Sequence, residues 1–443
     1  MAIWKLPAEV TSWVDRLAAM LDARLAHRLT TVVLGVLLAR GRRTVTSWLR
    51  AVGVGADFAD YYYFLGSLGR QTASVALALL LLAVKAIAPG ECLLLALDDT
   101  PTKRYGPKVQ GAGVHHNPTP GPADQKFVYG HVWVVLAWVV RHPRWSAIGL
   151  PLRALMYIRQ KDVAKLPRPT RKVVPFRTKL TMAAELIAWA AKIVHWLGRS
   201  VWVVADGAYG KRPVLRAAKA NRVVVVSRLR KDAKLFDVPK ASTRRGRGRP
   251  RKYGKRISLA KRGAHRHGWT TGPFRLYGRD QTKIHKTFVA TYPPAGGAIR
   301  VVIVREEHGW LAFFATDPNA TVTQILEAVA DRFAIEQDFH DLKEVYGAGQ
   351  QQLRNYWANM AAFHVNLWMM TLVELWAWAR GPAELSDRTA SPWDDADRRP
   401  SHADRRNALR RQCLQQQYCA ATIGERLNRK CRALLNAALQ LAM

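Results

Sequence analysis

Three sets of acids stand out in a chain that has few of them. Asp98 and Asp99 close the apolar run from Cys92 to Leu97, and Asp206 closes a second run, Val201 to Ala205. The third set lies in Asp331 to Lys343. There Arg332, Glu336, His340 and Lys343 recur at offsets of four, four and three, which brings them near one face of a helix. Separated carboxylates of this kind suit two-metal phosphoryl transfer. Two divalent ions roughly 4 Å apart stabilise the attacking and leaving oxygens of an in-line displacement. Mg2+ prefers oxygen ligands and is held by one or two carboxylates plus substrate phosphates. Plainer roles compete. An acid ending a strand is often a helix N-cap, and the Glu336 face can be an ordinary ion-paired amphipathic helix.

These acids need elements to position them. Residues 1–90 show helical spacing of apolar positions. Within them, Arg42 to Arg50 reads as a helix start capped by Thr or Ser, with basic residues able to touch phosphate or simply to face solvent. From Glu91 the pattern changes to buried runs at Cys92–Leu97, His131–Val140, Trp145–Ile158, Val201–Ala205 and Val223–Ser227. Helical stretches fall at Thr178–Leu197 and Lys211–Ala220. Alternation of this sort predicts an α/β sheet. Residues 241–267 then carry eleven Lys/Arg and no acid, broken by Gly and Pro, which predicts a basic loop. Strand candidates follow without helices between them, at Phe274–Tyr277, Thr287–Tyr292, Ile299–Val304 and Trp310–Thr316, as in a β-rich insertion. Helix resumes at Val322 and runs with breaks to about Arg380. Residues 381–407 read as loop, and a basic helical segment follows from about Asn407.

The bulk composition narrows the partners. The chain has 443 residues, 69 Lys+Arg and 32 Asp+Glu, for a net charge of +37. Charged residues are only 23 %, so the basicity comes from a shortage of acids. Such an excess points to a polyanion, nucleic acid first. Hydrophobic residues at 49 % exclude wholesale disorder. Cys92, Cys413, Cys419 and Cys431 form no Cys-x-x-Cys pair, which argues for reduced thiols and against a zinc ribbon or a disulfide framework. Thr72–Val84 is too short to span a membrane, and Ala361–Ala379 is interrupted by His364, Asn366 and Glu374. The N-terminus carries no signal-peptide pattern. The expected location is cytoplasmic, with no membrane partner. There is no Gly-x-Ser-x-Gly elbow to support a serine hydrolase.

With these residues in view, the sequence resembles bacterial insertion-sequence transposases of the DDE, RNase H-like superfamily. It is most similar to the branch with a β-rich insertion between the second Asp and the Glu, marked by Tyr-x2-Arg-x3-Glu-x6-Lys. The matching positions are Val329, Arg332, Glu336 and Lys343, with Val329 in place of the tyrosine. The first acid of the family precedes a Thr, which favours Asp99 over Asp98, although the strand pattern alone leaves both open. The second acid corresponds to Asp206. The resemblance spans roughly residues 90–360.

It implies catalytic, metal-binding Asp99, Asp206 and Glu336, and Mg2+ for which Mn2+ can substitute. It implies an RNase H-like core at residues 91–230 and 310–360. Outside the resemblance, the residue patterns assign a basic, β-rich insertion to 231–309 and helical regions to 1–90, read as DNA-binding, and 361–443. The resemblance further implies hydrolysis at the element end, transfer of the freed 3′-hydroxyl to target DNA, phosphate contacts by Arg332 and Lys343, and a nucleoid-associated homodimer on terminal inverted repeats.

Several further segments read as DNA contacts. Arg247-Gly248-Arg249-Pro250-Arg251-Lys252 resembles an AT-hook, whose flat backbone and arginines suit a narrow minor groove; a non-specific basic loop reads equally well. Thr100 to Phe127 reads as a 28-residue connection with Lys103, Arg104, Tyr105 and Lys108, long enough to suggest a functional loop beside the site. Trp310 can stack on a base or pack in the core. Two other functions remain open. One is a DNA-binding protein that has lost catalysis. The other is an RNase H-like nuclease that cuts without joining.

Overall fold

The computed structural model describes residues 4–88, 90–117, 125–239, 251–388, 393–395 and 397–421. The N-terminal region is helical, as its apolar spacing requires: α1 (Ala8–Ala18), α2 (Ala23–Leu38), α3 (Val45–Ala51), α4 (Phe58–Leu68) and α5 (Thr72–Ile87). Thr44 caps α3, its hydroxyl accepting from the Ser47 amide at 3.1 Å. The helices α4 and α5 meet at 80° and pack on a long helix described below, and no single helix among the described residues is long and apolar enough to cross a membrane.

The sheet begins with β1 (Cys92–Lys103), β2 (Gly113–His116), β3 (Phe127–Arg141) and β4 (Ala147–Tyr157). Short helices α6 (Gln160–Val163) and α7 (Arg168–Val173) and the longer α8 (Lys179–Trp196) lead to β5 (Ser200–Ala205), α9 (Arg212–Ala220) and β6 (Val224–Leu229). The strand β1 lies between antiparallel β3 and parallel β5, and β5 is parallel to β6. Both β4 and β2 pair with β3. The central strands are Val/Leu/Ala runs buried on both faces, which is why they carry no alternating pattern.

Two expectations about this region are corrected. The first strand does not end at Asp99; it runs four residues further, because β3 continues to pair with it as far as Lys103↔Gly130. The supposed 28-residue connection accordingly contains the end of β1 and the whole of β2. Thr102 and Thr100 are polar but buried, and the Trp133 indole donates to the Thr102 hydroxyl at 2.9 Å, so a polar sequence hides a buried strand end.

The insertion is also less separate than its sequence suggests. It contains β7 (Leu235–Phe236), β8 (Arg256–Ile257), α10 (Leu259–Ala264), β9 (Thr270–Leu276), β10 (Arg279–Tyr292) and β11 (Gly297–Glu306). Within 241–267, therefore, β8 and α10 replace part of the expected loop; the Ser258 hydroxyl caps α10. The next strand, β12 (Gly309–Ala315), pairs with β11 on one side and with β6 on the other. Backbone hydrogen bonding thus runs unbroken from the core into the insertion, in one sheet of twelve strands among the described residues.

Helices close the fold: α11 (Val322–Asp331), α12 (Phe333–Glu344), α13 (Tyr356–Ala377), α14 (Pro382–Leu385) and α15 (His402–Ala421). The capping box of Thr321 and Gln324 starts α11. The last helix begins five residues before the expected Asn407. Buried α13 is apolar nearly all round and packs against β4, α4, α5 and α15. Its one acid, Glu374, is buried and bonded to His402 and Arg405 of α15.

Candidate active site

The parallel register of β1 and β5 ends at Leu97↔Ala205. The next residue on each strand is an acid, Asp98 on one and Asp206 on the other. Because successive side chains on a strand point to opposite faces, Asp98 and Asp99 diverge. Asp98 faces α12: its Oδ2 accepts from Arg332 Nη1 at 2.8 Å. The other arm of that guanidinium, Nη2, donates to Glu336 Oε1 at 2.6 Å, one helical turn on. One arginine therefore bridges an acid from β1 and an acid from α12.

Asp99 faces the other way. Its Oδ2 accepts from Lys179 Nζ at 2.6 Å, at the start of α8, and its Oδ1 from the Tyr209 hydroxyl at 2.6 Å. The sequence preference for Asp99 thus meets a different arrangement. Asp98 shares a face with Arg332 and Glu336, whereas both oxygens of Asp99 are engaged behind it. Asp206 follows β5 directly; its Oδ2 accepts from the Ala208 amide at 3.2 Å, and its carbonyl accepts from the Ser227 hydroxyl at 3.1 Å. Beside it, Gly207, Arg228, Arg230, Lys231 and Asp232 line an open cavity of about 400 Å3, in which Arg230 is paired with Asp232.

The electrostatics single out Asp98. Burial pushes its carboxyl up to about 6; Arg332 opposes the shift, and Asp99 and Asp206 add to it. Burial and the same three acids push the Tyr209 hydroxyl well above its ordinary range, so it stays a proton donor to Asp99. Among the described residues no three His, Cys, Asp or Glu side chains close into a metal-binding group. The donor set nevertheless suits Mg2+, which takes hard oxygens and keeps several waters, so it does not need a closed protein cage. The mutual repulsion felt by Asp98 and the guanidinium lodged between Asp98 and Glu336 both mark a place where positive charge is favoured.

The other expected contacts are dispersed. Lys343 is half-buried, two turns beyond Glu336, and already has a partner. His340 is exposed beside Asp341. Lys103, at the end of β1, is exposed and also has a partner. Arg104 is buried; its guanidinium donates to the carbonyls of Gly349 at 2.6 Å and Gln351 at 3.0 Å, so it staples β1 to the loop after α12. Trp310 is half-buried against the core, with Gly263 closely against its indole and Lys231 5.2 Å from its ring centre. Arg251 and Lys252 are exposed, while Arg247 and Arg249 lie outside the described residues. Cys92 and Cys413 are free thiols; Cys419 and Cys431 are not among the side chains described.

Sequence reasoning missed Tyr209 and Lys179. Tyr209 carried one faint signal, its position three residues after a strand-ending acid. Lys179 carried none, since it stands eighty residues from Asp99.

No curated protein matches this chain. Residues 16–281, more than half of its length, match the DDE superfamily endonuclease family. The matched stretch includes Asp98, Asp99 and Asp206 and ends before Glu336. Enzymes of this superfamily act on nucleic acid with divalent metal ions. With a strand-borne acid pair, a second acid on the adjoining parallel strand and an α/β sheet to hold them, the chain belongs to the DDE superfamily endonuclease family.

Proposed function

We propose that this chain is a DNA transposase that cleaves insertion-sequence ends by Mg2+-dependent hydrolysis and joins the freed 3′-hydroxyl to target DNA. The carrying observation is the Arg332 guanidinium shared by Asp98 and Glu336, at 2.8 and 2.6 Å, between residues more than two hundred positions apart. The strand order β4-β3-β1-β5-β6, with β3 alone antiparallel to the other four, supports an RNase H-like core.

In this reading Asp98, Asp206 and Glu336 hold the metal ions, and Asp99 is a positioning residue through Lys179 and Tyr209. The bound ions would neutralise charge on the scissile phosphate and lower the pKa of the attacking water. The chain's own cations do the rest. Arg332, anchored by two acids, presents a guanidinium with planar geometry suited to phosphate oxygens. Arg228 and Lys231 beside Asp206 attract the strand, and Lys343 extends the basic edge of α12. Asp98, near neutrality in its affinity for a proton, is readily ionised once a cation arrives. A homodimer, each protomer on one inverted repeat, completes the proposal.

The test is incubation of the full chain with DNA carrying the flanking element ends and Mg2+ or Mn2+. The expected products are 3′-hydroxyl ends and joints to a target plasmid. Binding without strand breaks would favour the DNA-binding protein that has lost catalysis. Breaks without joints would favour a nuclease that does not transfer strands.

A further inference from the structure

A second cavity lies where the chain runs on past the acids of β1 and α12. Beyond Asp99, β1 continues to Lys103 and turns through Arg104 to Val109. Beyond Glu336, α12 continues to Glu344, and the chain returns at Gly349 to Arg354. These two loops meet, since a side chain at Gly349 would lie 3.0 Å from the Lys103 carbonyl. Between them, and beside Arg42 of the α2–α3 loop, is a cavity of about 470 Å3. That size lies within the range of small-ligand sites. The six residues of chain from Asp99 to Tyr105 put its near edge at most about 22 Å from Asp99.

Its walls are fixed and its rim is chemically one-sided. Arg104 ties its floor to the Gly349 and Gln351 carbonyls, the Gln110 amide donates to the Arg354 carbonyl at 2.9 Å, and the Arg43 amide donates to Gln350 Oε1 at 2.8 Å. The exposed rim carries Arg42, Lys108 and Arg354, the amides of Gln350 and Gln352, and Tyr105, which is 77 % exposed. No acid lines it. A free aromatic ring beside cations and side-chain amides is the combination that holds an unpaired nucleotide: the ring stacks on the base, the cations meet the flanking phosphates, and the amides reach base edges.

We propose that this cavity binds an unpaired nucleotide of a DNA strand, with Tyr105 stacked on its base and Arg42, Lys108 and Arg354 on its backbone. The proposal rests on the reading of the chain as a DNA-processing enzyme. It adds a place where the strand is held open, away from the acids.

The test uses the full chain without divalent metal, so that cleavage plays no part. Fluorescence anisotropy compares a short labelled oligothymidylate with a blunt duplex of equal length. Tyr105→Ala should weaken binding of the oligothymidylate about 5- to 100-fold, the loss of one stacked base, and leave the duplex Kd unchanged. Tyr105→Phe should bind both as the parent does. Lys108→Ala and Arg354→Ala should each reduce the salt slope for the single strand by about 0.7. Photocrosslinking of an oligonucleotide containing 5-iododeoxyuridine should label the Tyr105 peptide.

An unchanged oligothymidylate Kd for Tyr105→Ala, equal losses on both probes, or crosslinks only elsewhere would overturn the proposal. If the parent cleaves element ends and one of these results is found, the cavity falls and the transposase reading stands. If the parent binds neither probe and cuts nothing, both fall.

Discussion

Replacing Asp98 by Asn should make the metal-free protein more stable near neutral pH while removing its ability to cut DNA. Burial raises the Asp98 carboxyl from 3.8 to about 6 in spite of the Arg332 contact. A raised pKa means that the folded state prefers the protonated acid. Its favourable contribution is complete below about pH 4 and is lost as pH rises through about 6. The difference of about two units corresponds to about 3 kcal/mol. Asp98 is only 21 % exposed, so solvent screens little of it. The isosteric amide stays neutral and can still accept from Arg332.

Urea unfolding of parent and variant, without metal, should show near-equal stability below about pH 4, with the gap opening in favour of Asp98→Asn toward neutrality. Added Mg2+ should raise parent stability by mass action and leave the variant nearly unchanged. A variant less stable than the parent at neutral pH, or a gap independent of pH, would refute the view that ionised Asp98 is held against its burial and awaits a cation.

Three other substitutions bear on the same frame. Asp99→Asn should lower cleavage less than Asp98→Asn, since Asp99 acts through Lys179 and Tyr209; if instead Asp99→Asn alone abolishes cutting, the metal ligand on β1 is Asp99. Burial raises the Glu374 carboxyl, but Arg405 and His402 outweigh it and hold it at about 2, against 4.5 for a free Glu. That stabilisation is present above pH 4.5 and lost as pH falls through about 2, so Glu374→Gln should cost about 3 kcal/mol at neutral pH and roughly half of that by pH 3; urea midpoints at the two pH values check it. Gly149→Ala should destabilise by about 1–3 kcal/mol or more by overpacking, because its methyl would fall 1.9 Å from Asp338 Oδ2 of α12, and thermal unfolding would show it.

The sequence made the central strands and the helix of Glu336 legible because buried runs and helical spacing are local signals. It marked Asp206 correctly as the end of β5, since β5 ends where its apolar run ends. It misplaced the end of β1 because Thr100 to Lys103 are polar yet held by β3, a tertiary effect invisible to periodicity. It also could not show that β12 joins insertion to core, which depends on pairing with β6 across eighty residues of chain. The choice between Asp98 and Asp99 has the same character. Both strand faces are apolar, so only the register and the position of α12 show which acid meets Arg332. Arg104 read as a DNA contact because its charge was visible and its carbonyl partners, near residue 350, were not.

The shortage of acids gains a structural meaning from these contacts. An uncompensated buried carboxylate is costly, and Asp98, Asp99 and Glu336 are each ion-paired, the first and last with Arg332 and Asp99 with Lys179. Those cations sit on different helices, so the balance depends on where α8 and α12 are held. The far end of α12 is fixed by a buried chain that involves neither: the Tyr346 hydroxyl meets His402 at 2.8 Å, and His402 and Arg405 both meet Glu374 of α13. Arg406 of the same helix donates to the carbonyls of Val36, Leu37 and Ala39 at the end of α2. Thus α15 joins the N-terminal helices, α13 and the end of α12 in one packed unit. Loosening α15 would move Glu336 and Arg332 relative to Asp98 without touching any acid of the site. Arg405→Met, which leaves Glu374 buried without its cation, should therefore cost about 3–5 kcal/mol and reduce cleavage, while Glu374→Met with Arg405→Met should recover both. Loss of stability in Arg405→Met without any loss of cleavage would show that α15 holds the fold and not the site.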